Sequence, residues 1–107
     1  MLKKANRADK KTVEKIFQKG KFINSQLFTF KFLILPATFK KISVLAPKNV
    51  AKLAVQRNLL RRRGYVALKK YLSSFPAGVA GVLIFKKYQD DIFLIENEIK
   101  TILSKIN

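Results

Sequence analysis

A long helical segment between two strand-like segments is the feature that most constrains the fold of this chain. Residues 41–46 have the composition of a strand, a helical pattern runs from about residue 50 to residue 72, and residues 79–85 are apolar throughout. A continuous apolar run of that length is typical of a strand that is buried on both faces. A strand–helix–strand crossover favours a mixed sheet with helices packed against it.

A third segment, residues 26–35, has the alternation of a half-buried strand. Phe28, Phe30 and Phe32 alternate with Thr29 and Lys31, which is the two-residue period of a strand. Pro36 ends this segment. Because the connection to residues 41–46 is short, we expect these two strands to pair in the antiparallel sense.

Further helices are predicted near the two ends of the chain. The first spans Asp9 to Lys19, with Asp9 as its N-cap and Gly20 in the left-handed position after its C-terminus. Its buried face should carry Val13, Ile16 and Phe17. Asp90 or Asp91 should cap the last helix. The apolar stripe of this last helix consists of Ile92, Ile95, Ile99, Ile102 and Ile106.

These elements predict an α+β two-layer sandwich in which helices pack on a mixed sheet of about four strands. The order is α-β-β(-β)-α-β-α. With 107 residues, the chain suits one domain over residues 1–107, and residues 1–8 form a basic N-terminal arm.

The charge predicts a polyanionic partner. Lys and Arg number 23 against six Asp and Glu, giving a net charge of +17, and repulsion on this scale opposes compactness. Nucleic acid and an anionic membrane surface are the two candidate partners. No segment reaches the ~20 apolar residues of a membrane span, and the N-terminus has no apolar signal-peptide core. We therefore expect a cytoplasmic protein that does not act at a membrane.

The composition also limits the chemistry. The chain contains no Cys and no His, which excludes thiolate metal sites and the commonest general base. The acidic residues are scattered, and no Gly-rich phosphate loop is present. We therefore expect neither catalytic side chains, nor a protein metal site, nor a small-molecule substrate.

The run from Arg57 to Arg63 is the strongest candidate for a binding surface. It holds four of the five arginines of the chain, and a guanidinium matches phosphate oxygens bidentately. Helical spacing turns Leu60, Gly64, Ala67, Leu68 and Tyr71 toward the sheet. It places Asn58, Arg61, Arg62, Tyr65 and Lys69 on the other side, with Arg57 and Arg63 flanking this cluster. The alternative is a solvated charged helix face.

Aromatic residues form a second candidate surface. The N-terminal part of the chain interleaves lysines with Phe17, Phe22, Phe28, Phe30, Phe32 and Phe39. Unpaired RNA bases stack on such rings. The alternative is that these rings fill the core, and we expect only one or two of them to face RNA.

The central motif resembles the protein component of bacterial ribonuclease P. The resemblance lies in the segment from Ala46-Pro47-Lys48 through Ala54-Val55-Gln56-Arg57-Asn58-Leu59-Leu60-Arg61-Arg62, and similar segments extend over nearly the whole chain. The family pattern has Arg where this chain has Leu59, another Arg near Tyr65, and Lys where this chain has Pro47.

The resemblance implies a left-handed βαβ crossover, against the general preference for right-handed ones, as in domain 2 of ribosomal protein S5. It also implies partners, namely the catalytic RNA of ribonuclease P and precursor tRNA. The RNA would hold Mg²⁺ and carry out removal of the 5′ leader. The implied RNA-binding residues are Lys48, Arg57, Asn58, Arg61, Arg62, Arg63, Tyr65 and Lys69. The implied leader-binding cleft contains Phe17, Phe28, Phe30 and Lys86.

Three other functions are compatible with the charge and size. The first is a ribosomal or general RNA-binding protein, which needs no specific Arg-Asn motif. The second is a membrane-active cationic protein, for which only the last helix could serve. The third is a free-standing nuclease.

Overall fold

The computed structural model describes residues 10–106. The predicted basic arm and the Asp9 cap lie outside these residues. The helices are α1 (Lys10–Lys19), α2 (Ala54–Tyr71) and α3 (Ile92–Ile106), and a short 3-10 helix (Leu72–Ser74) follows α2. The strands are β1 (Lys21–Asn24), β2 (Phe28–Ile34), β3 (Lys41–Leu45) and β4 (Val79–Phe85). This order confirms the predicted α+β class and its optional third N-terminal strand.

The four strands form one mixed sheet in the order β1-β2-β4-β3. Strand β4 pairs antiparallel with β2 and parallel with β3. The expectation that β2 and β3 pair with each other is wrong, because β4 lies between them. A fully apolar strand is best buried at the centre of a sheet, and this accounts for the insertion. The crossover β3–α2–β4 is present, and its left-handed sense stays a prediction.

The two faces of the sheet are covered differently. Phe28, Phe30 and Phe32 point into the main core, where α2 and α3 pack. The other face carries Ala80 and Val82, and Ile16 of α1 packs on them in a second, smaller core. Helix α1 contacts only β2 and β4 closely, so it leaves part of this second face uncovered.

Helix α2 begins at Ala54, later than the predicted start near residue 50. The preceding residues form a turn instead, in which the N–H groups of Val50 and Ala51 both donate to the carbonyl oxygen of Pro47. The predicted packing side is confirmed, since Leu60, Gly64, Ala67 and Leu68 are buried and Tyr71 is half-buried. A Cβ on Gly64 would lie 2.8 Å from Cγ1 of Val44, so this glycine allows α2 to approach β3 closely.

Gly20 ends α1 without adopting the predicted left-handed conformation. Among residues 10–106, Gly78 is the glycine with a positive φ, at 83°. The N–H of Gly20 donates to the carbonyl oxygen of Ile16 at 2.7 Å, and a Cβ here would collide with that same oxygen. Glycine is therefore needed for close backbone approach, and the prediction of a left-handed cap is wrong.

Helix α3 has the predicted cap and apolar stripe. The N–H of Phe93 donates to Oδ1 of Asp91 at 2.9 Å, so Asp91 rather than Asp90 caps the helix. The central isoleucines of the stripe are fully buried, and Ile92 and Ile106 are partly buried. None of the helices within the described residues is long and apolar enough to cross a membrane.

An ion pair joins α3 to α2. Nζ of Lys70 lies 3.1 Å from Oε1 of Glu96. The hydrogen bond and the negative charge of Glu96 raise the pKa of Lys70 above its ordinary value. The glutamate side chain is almost completely buried, whereas the lysine is largely exposed. Lys70 therefore provides a hydrogen-bond donor and a positive charge for a carboxylate that is buried between α2 and α3.

Candidate nucleic-acid interface

One side of α2 carries the arginine face, defined here as Arg57, Asn58, Arg61 and Arg62. A groove of ≈ 570 Å³ lies between this face and residues 45–47 at the end of β3. A second depression of ≈ 160 Å³ continues from it along α2, and Asn58 and Arg61 line both. Asn58 and Arg62 are exposed, as are Lys69 farther along the helix and Lys48 in the loop after β3. The structure thus brings Arg57, Asn58, Arg61 and Arg62 to two adjoining depressions and leaves Lys48 and Lys69 exposed.

Arg57 has a structural contact in addition to its place in the groove. Its Nη1 donates to the carbonyl oxygens of Lys52 at 2.7 Å and Ala51 at 3.1 Å. These bonds hold the segment before α2 against the first turns of the helix. Arg57 therefore ties the segment before α2 to the helix while it also lines the groove.

Arg61 has a buried donor that lacks a partner. Its Nη1 lies 3.5 Å from Oδ1 of Asn58, and its Nε is buried without a hydrogen-bond partner among residues 10–106. A buried donor without a partner costs about 1–3 kcal/mol. A ligand that draws the guanidinium into the groove would relieve this cost.

Tyr65 does not join the arginine face as an exposed side chain. Only 3% of its surface is exposed, and its hydroxyl accepts the backbone N–H of Val44 at 3.1 Å. The hydroxyl is thus engaged by β3, while Tyr65 still lines the second depression beside Arg61 and Arg62, so its contact with RNA stays a prediction. Its position on the helical wheel lies at the boundary between the two sides, and the long side chain reaches back over the edge of β3.

Arg63 points away from the arginine face. Its Nη1 donates to the hydroxyl of Tyr88 at 3.4 Å and lies 3.7 Å from Oδ1 of Asp90. Both partners belong to the loop between β4 and α3. The structure therefore places Arg63 in a contact with the loop between β4 and α3, and its role in RNA binding stays a prediction.

The structure places the aromatic residues predicted for a leader-binding cleft in different environments. Phe28 and Phe30 have no exposed surface, so the expectation that they contact a leader is wrong. Both belong to the alternating set of β2 that faces α2 and α3. Phe17 is 44% exposed, so the prediction that it lies on the buried face of α1 is wrong. Its exposed ring can still contact a leader.

Phe17 belongs to a region of the sheet that the other residues between 10 and 106 leave uncovered. We call it the open sheet face, defined as Phe17, Phe22, Asn24, Thr29 and Lys31. Nζ of Lys31 lies 4.7 Å from the ring centroid of Phe17, within the range of a cation–π contact. Phe22 is opposite Lys31 in the strand register and is 65% exposed. Asn24 and Thr29 form the next pair on the same side, joined by a 2.8 Å hydrogen bond.

Sequence reasoning included Phe22 among the aromatics but did not select it. Strand β1 has only four residues, which is too few for an alternation of polar and apolar residues to reveal that Phe22 is exposed. Lys86, which was selected, uses its ammonium group to bind the carbonyl oxygen of Ser25 at 2.7 Å. It therefore supports the turn between β1 and β2.

The described residues do not bring together three or more side chains of the types that hold a metal ion. Glu96 is paired with Lys70, and Oε1 of Glu98 accepts the backbone N–H of Leu27. The two surfaces just described therefore offer cations, amides and aromatic rings, which suits the binding of a polyanion with unpaired bases.

Comparison with known proteins identifies the family. A family model described as Ribonuclease P matches residues 1–107. The fold is similar to the RNase P protein from Thermotoga maritima, with 18% identity and a TM-score of 0.83 over 94% of this chain and 97% of that one. It is also similar to the RNase P protein of Staphylococcus aureus, with 16% identity and a TM-score of 0.80 over 98% and 97% of the two chains.

None of the curated protein sequences matches the chain significantly. The structural similarities are at low identity and concern the fold. The family model, however, spans the chain from its first residue to its last. This protein therefore belongs to the ribonuclease P family, as a protein subunit of that tRNA-processing ribonuclease.

Proposed function

We propose that this subunit binds the catalytic RNA of ribonuclease P through its arginine face and the 5′ leader of precursor tRNA through its open sheet face. It acts in the cytoplasm, where it assists leader removal. The observation that carries the proposal is the groove along α2, where Asn58 and Arg61 line two adjoining depressions. Arg57 lines the first of these depressions and Arg62 lines the second.

The arginine face has the chemistry for the catalytic RNA. Arginine forks bind phosphate oxygens with two parallel hydrogen bonds, and Asn58 can donate to a phosphate or a 2′-hydroxyl and accept from a base. Lys48 and Lys69 are exposed as well and supply further positive charge for RNA. Because Nε of Arg61 is buried without a partner in the described residues, moving this side chain to bind RNA would remove an unfavourable term of the free protein.

The open sheet face has the chemistry for a single strand. Phe17 and Phe22 expose rings on either side of Lys31. A base stacked on an aromatic side chain gains about 1–3 kcal/mol, and the lysine can meet the phosphate between two bases. The arrangement suits a leader whose bases are unpaired and whose sequence varies.

We assign the bond cleavage and the Mg²⁺ to the RNA. The donor set of residues 10–106 does not fit a protein-bound Mg²⁺, because no three candidate ligands come together. When bound by the RNA, the ion would activate the attacking water and stabilise the leaving oxygen. The protein contributes positive charge that lowers the repulsion between two RNA molecules that must meet.

Reconstitution tests this proposal. The chain is added to a bacterial ribonuclease P RNA at a low Mg²⁺ concentration, and cleavage of precursor tRNA is followed. We expect faster cleavage than with the RNA alone. Binding without any improvement in cleavage would contradict the proposal and would indicate a general RNA-binding protein.

Two controls separate the remaining alternatives. The protein freed of RNA should not cleave precursor tRNA, and cleavage under that condition would indicate a free-standing nuclease. Binding to anionic vesicles should be abolished by competing RNA. Vesicle binding that survives this competition would favour a membrane-active protein.

A further inference from the structure

A cavity outside both surfaces has a different chemical character. It measures ≈ 260 Å³ and lies between the β1–β2 turn, the β4–α3 loop and α3. The side chains that matter for its chemistry are Gln26, Tyr88, Gln89, Leu94, Asn97 and Glu98. In a chain with a net charge of +17, this site combines amide groups and a carboxylate with a single lysine, Lys87.

Hydrogen bonds fix the walls of this cavity. Oε1 of Glu98 accepts the N–H of Leu27 at 2.7 Å. The carbonyl oxygen of Leu27 in turn accepts the N–H of Lys86 at 2.7 Å. On the opposite wall, Arg63 donates to the hydroxyl of Tyr88 at 3.4 Å. The cavity is therefore formed before a ligand arrives, which lowers the ordering cost of binding.

The free groups in the cavity select for a flat ligand with hydrogen-bond donors. The ring of Tyr88 is 41% exposed and Leu94 is 47% exposed, so both offer apolar surface for stacking. Among residues 10–106, Oε2 of Glu98 forms no hydrogen bond or ion pair. A carboxylate with a free oxygen repels phosphates and accepts hydrogen bonds from N–H groups.

We propose that this cavity binds a single guanine base. Guanine is the base whose Watson–Crick edge carries two adjacent donors, N1–H and the 2-amino group, and Glu98 can accept both. The amides of Gln26, Gln89 and Asn97 can donate to its O6 and N7, while the ring stacks on Tyr88. Ligand pockets usually measure roughly 300–1,000 Å³, so this smaller cavity suits one base.

The base can come from a free guanosine nucleotide or from an unpaired guanine in RNA. Lys87 lines the same cavity and can meet the phosphate attached to either. The RNA source rests on the proposed function, whereas the free nucleotide does not.

Nucleoside titrations test the cavity without phosphate charge. Guanosine, adenosine, cytidine and uridine are added separately to ¹⁵N-labelled protein, and amide resonances are followed. We expect guanosine to shift the amide resonances of residues 26–27, 87–89 and 94–98 at a lower concentration than the other three nucleosides do. Absence of these shifts, or equal shifts with all four nucleosides, would overturn the proposal.

Matched variants assign the roles. Tyr88→Ala should weaken guanosine binding about tenfold, as expected for loss of a stacked ring, and Tyr88→Phe should restore most of it. Glu98→Gln keeps an acceptor for Leu27 but replaces the free acceptor by a donor, so it should remove the preference for guanosine over adenosine. Phe93→Ala, on the exposed side of α3, should bind as the unaltered protein does.

Two pentanucleotides separate the sources. UUGUU and UUUUU carry the same phosphates, so stronger binding of UUGUU that is lost in Glu98→Gln indicates a guanine in RNA. Binding of guanosine monophosphate without any difference between the pentanucleotides indicates a free nucleotide. Precursor-tRNA cleavage is measured separately, so failure of the cavity proposal leaves the reconstitution result intact, and the reverse also holds.

Discussion

The hydroxyl of Tyr65 accepts the backbone N–H of Val44 at 3.1 Å. Strand β3 lies at the edge of the sheet, where an outward N–H has no neighbouring strand to bind. A side chain from α2 thus satisfies a main-chain donor of β3. The contact joins the helix that carries the arginine face to the strand that borders its groove.

We expect Tyr65→Phe to lower the free energy of unfolding by about 1–3 kcal/mol, because it leaves the N–H of Val44 buried without a partner. Affinity for the catalytic RNA should stay the same. Urea denaturation and RNA titration measure the two quantities. Tyr71→Phe is the matched control, since that half-buried ring keeps its lysine contacts. Weaker RNA binding at unchanged stability would show that the hydroxyl contacts RNA.

Arg62→Ala should weaken binding to the catalytic RNA at least about tenfold, as expected for loss of a charge-assisted hydrogen bond of roughly 1.5–3 kcal/mol. The salt dependence of binding should also become shallower by about 0.7 for a single-strand phosphate contact. Lys105→Ala is the control. Lys105 binds the carbonyl oxygen of Asn24, away from the arginine face. Equal losses in the two variants would mean that the charge acts diffusely.

Phe17→Ala and Phe22→Ala should each weaken binding of precursor tRNA by about tenfold, within the roughly 1–3 kcal/mol of a stacked base. Binding of mature tRNA should not change, because it lacks the leader. The measurement is the affinity of the reconstituted particle for the two tRNAs. Phe93→Ala removes a ring of α3 that is even more exposed, and it should affect neither. A loss shared by both tRNAs would place these rings in another contact.

The pair between Lys70 and Glu96 should contribute stability that is lost in strong alkali. The hydrogen bond to Glu96 raises the pKa of Lys70 above 10.5 in the folded protein. A raised folded pKa means that the contribution is complete below pH 10.5 and is lost as the pH rises through the folded value. Lys70→Met should therefore lower Tm by a constant amount between neutral pH and pH 10.5 and by less above it.

The control for this pair is Lys100→Met. Lys100 lies over the same Tyr71 ring, 5.6 Å from its centroid, but Glu96 pairs with Lys70. The effect of Lys100→Met on Tm should therefore not show the pH dependence expected for Lys70→Met. A Lys70→Met effect that stays constant through strong alkali would contradict the role given to the ion pair.

Periodicity predicted the helices and strands well because each pattern reflects local geometry. The stripe of α3 and the packing side of α2 followed directly from helical spacing. The alternation in β2 separated two sets of side chains, but periodicity alone did not say which set is buried. The family resemblance implied a place in the cleft for Phe28 and Phe30, whereas both belong to the core.

Contacts between distant segments were harder to predict. The pairing of β2 with β4 joins residues that lie far apart in sequence, and a short connection to β3 wrongly suggested another partner. The bond from Arg63 to Tyr88 spans 25 positions, and nothing near either residue indicates it. The resemblance to the ribonuclease P family supplied the functional interpretation that these local patterns could not.

The division of β2 into two faces also limits how this protein can vary. Phe28, Phe30 and Phe32 face the core, whereas Thr29 and Lys31 belong to the open sheet face. Deleting one residue within β2 would exchange the two sets, placing the ammonium group of Lys31 in the core and the phenyl rings in solvent. Insertions and deletions should therefore accumulate in the loops, and β2 should change by substitution at constant length.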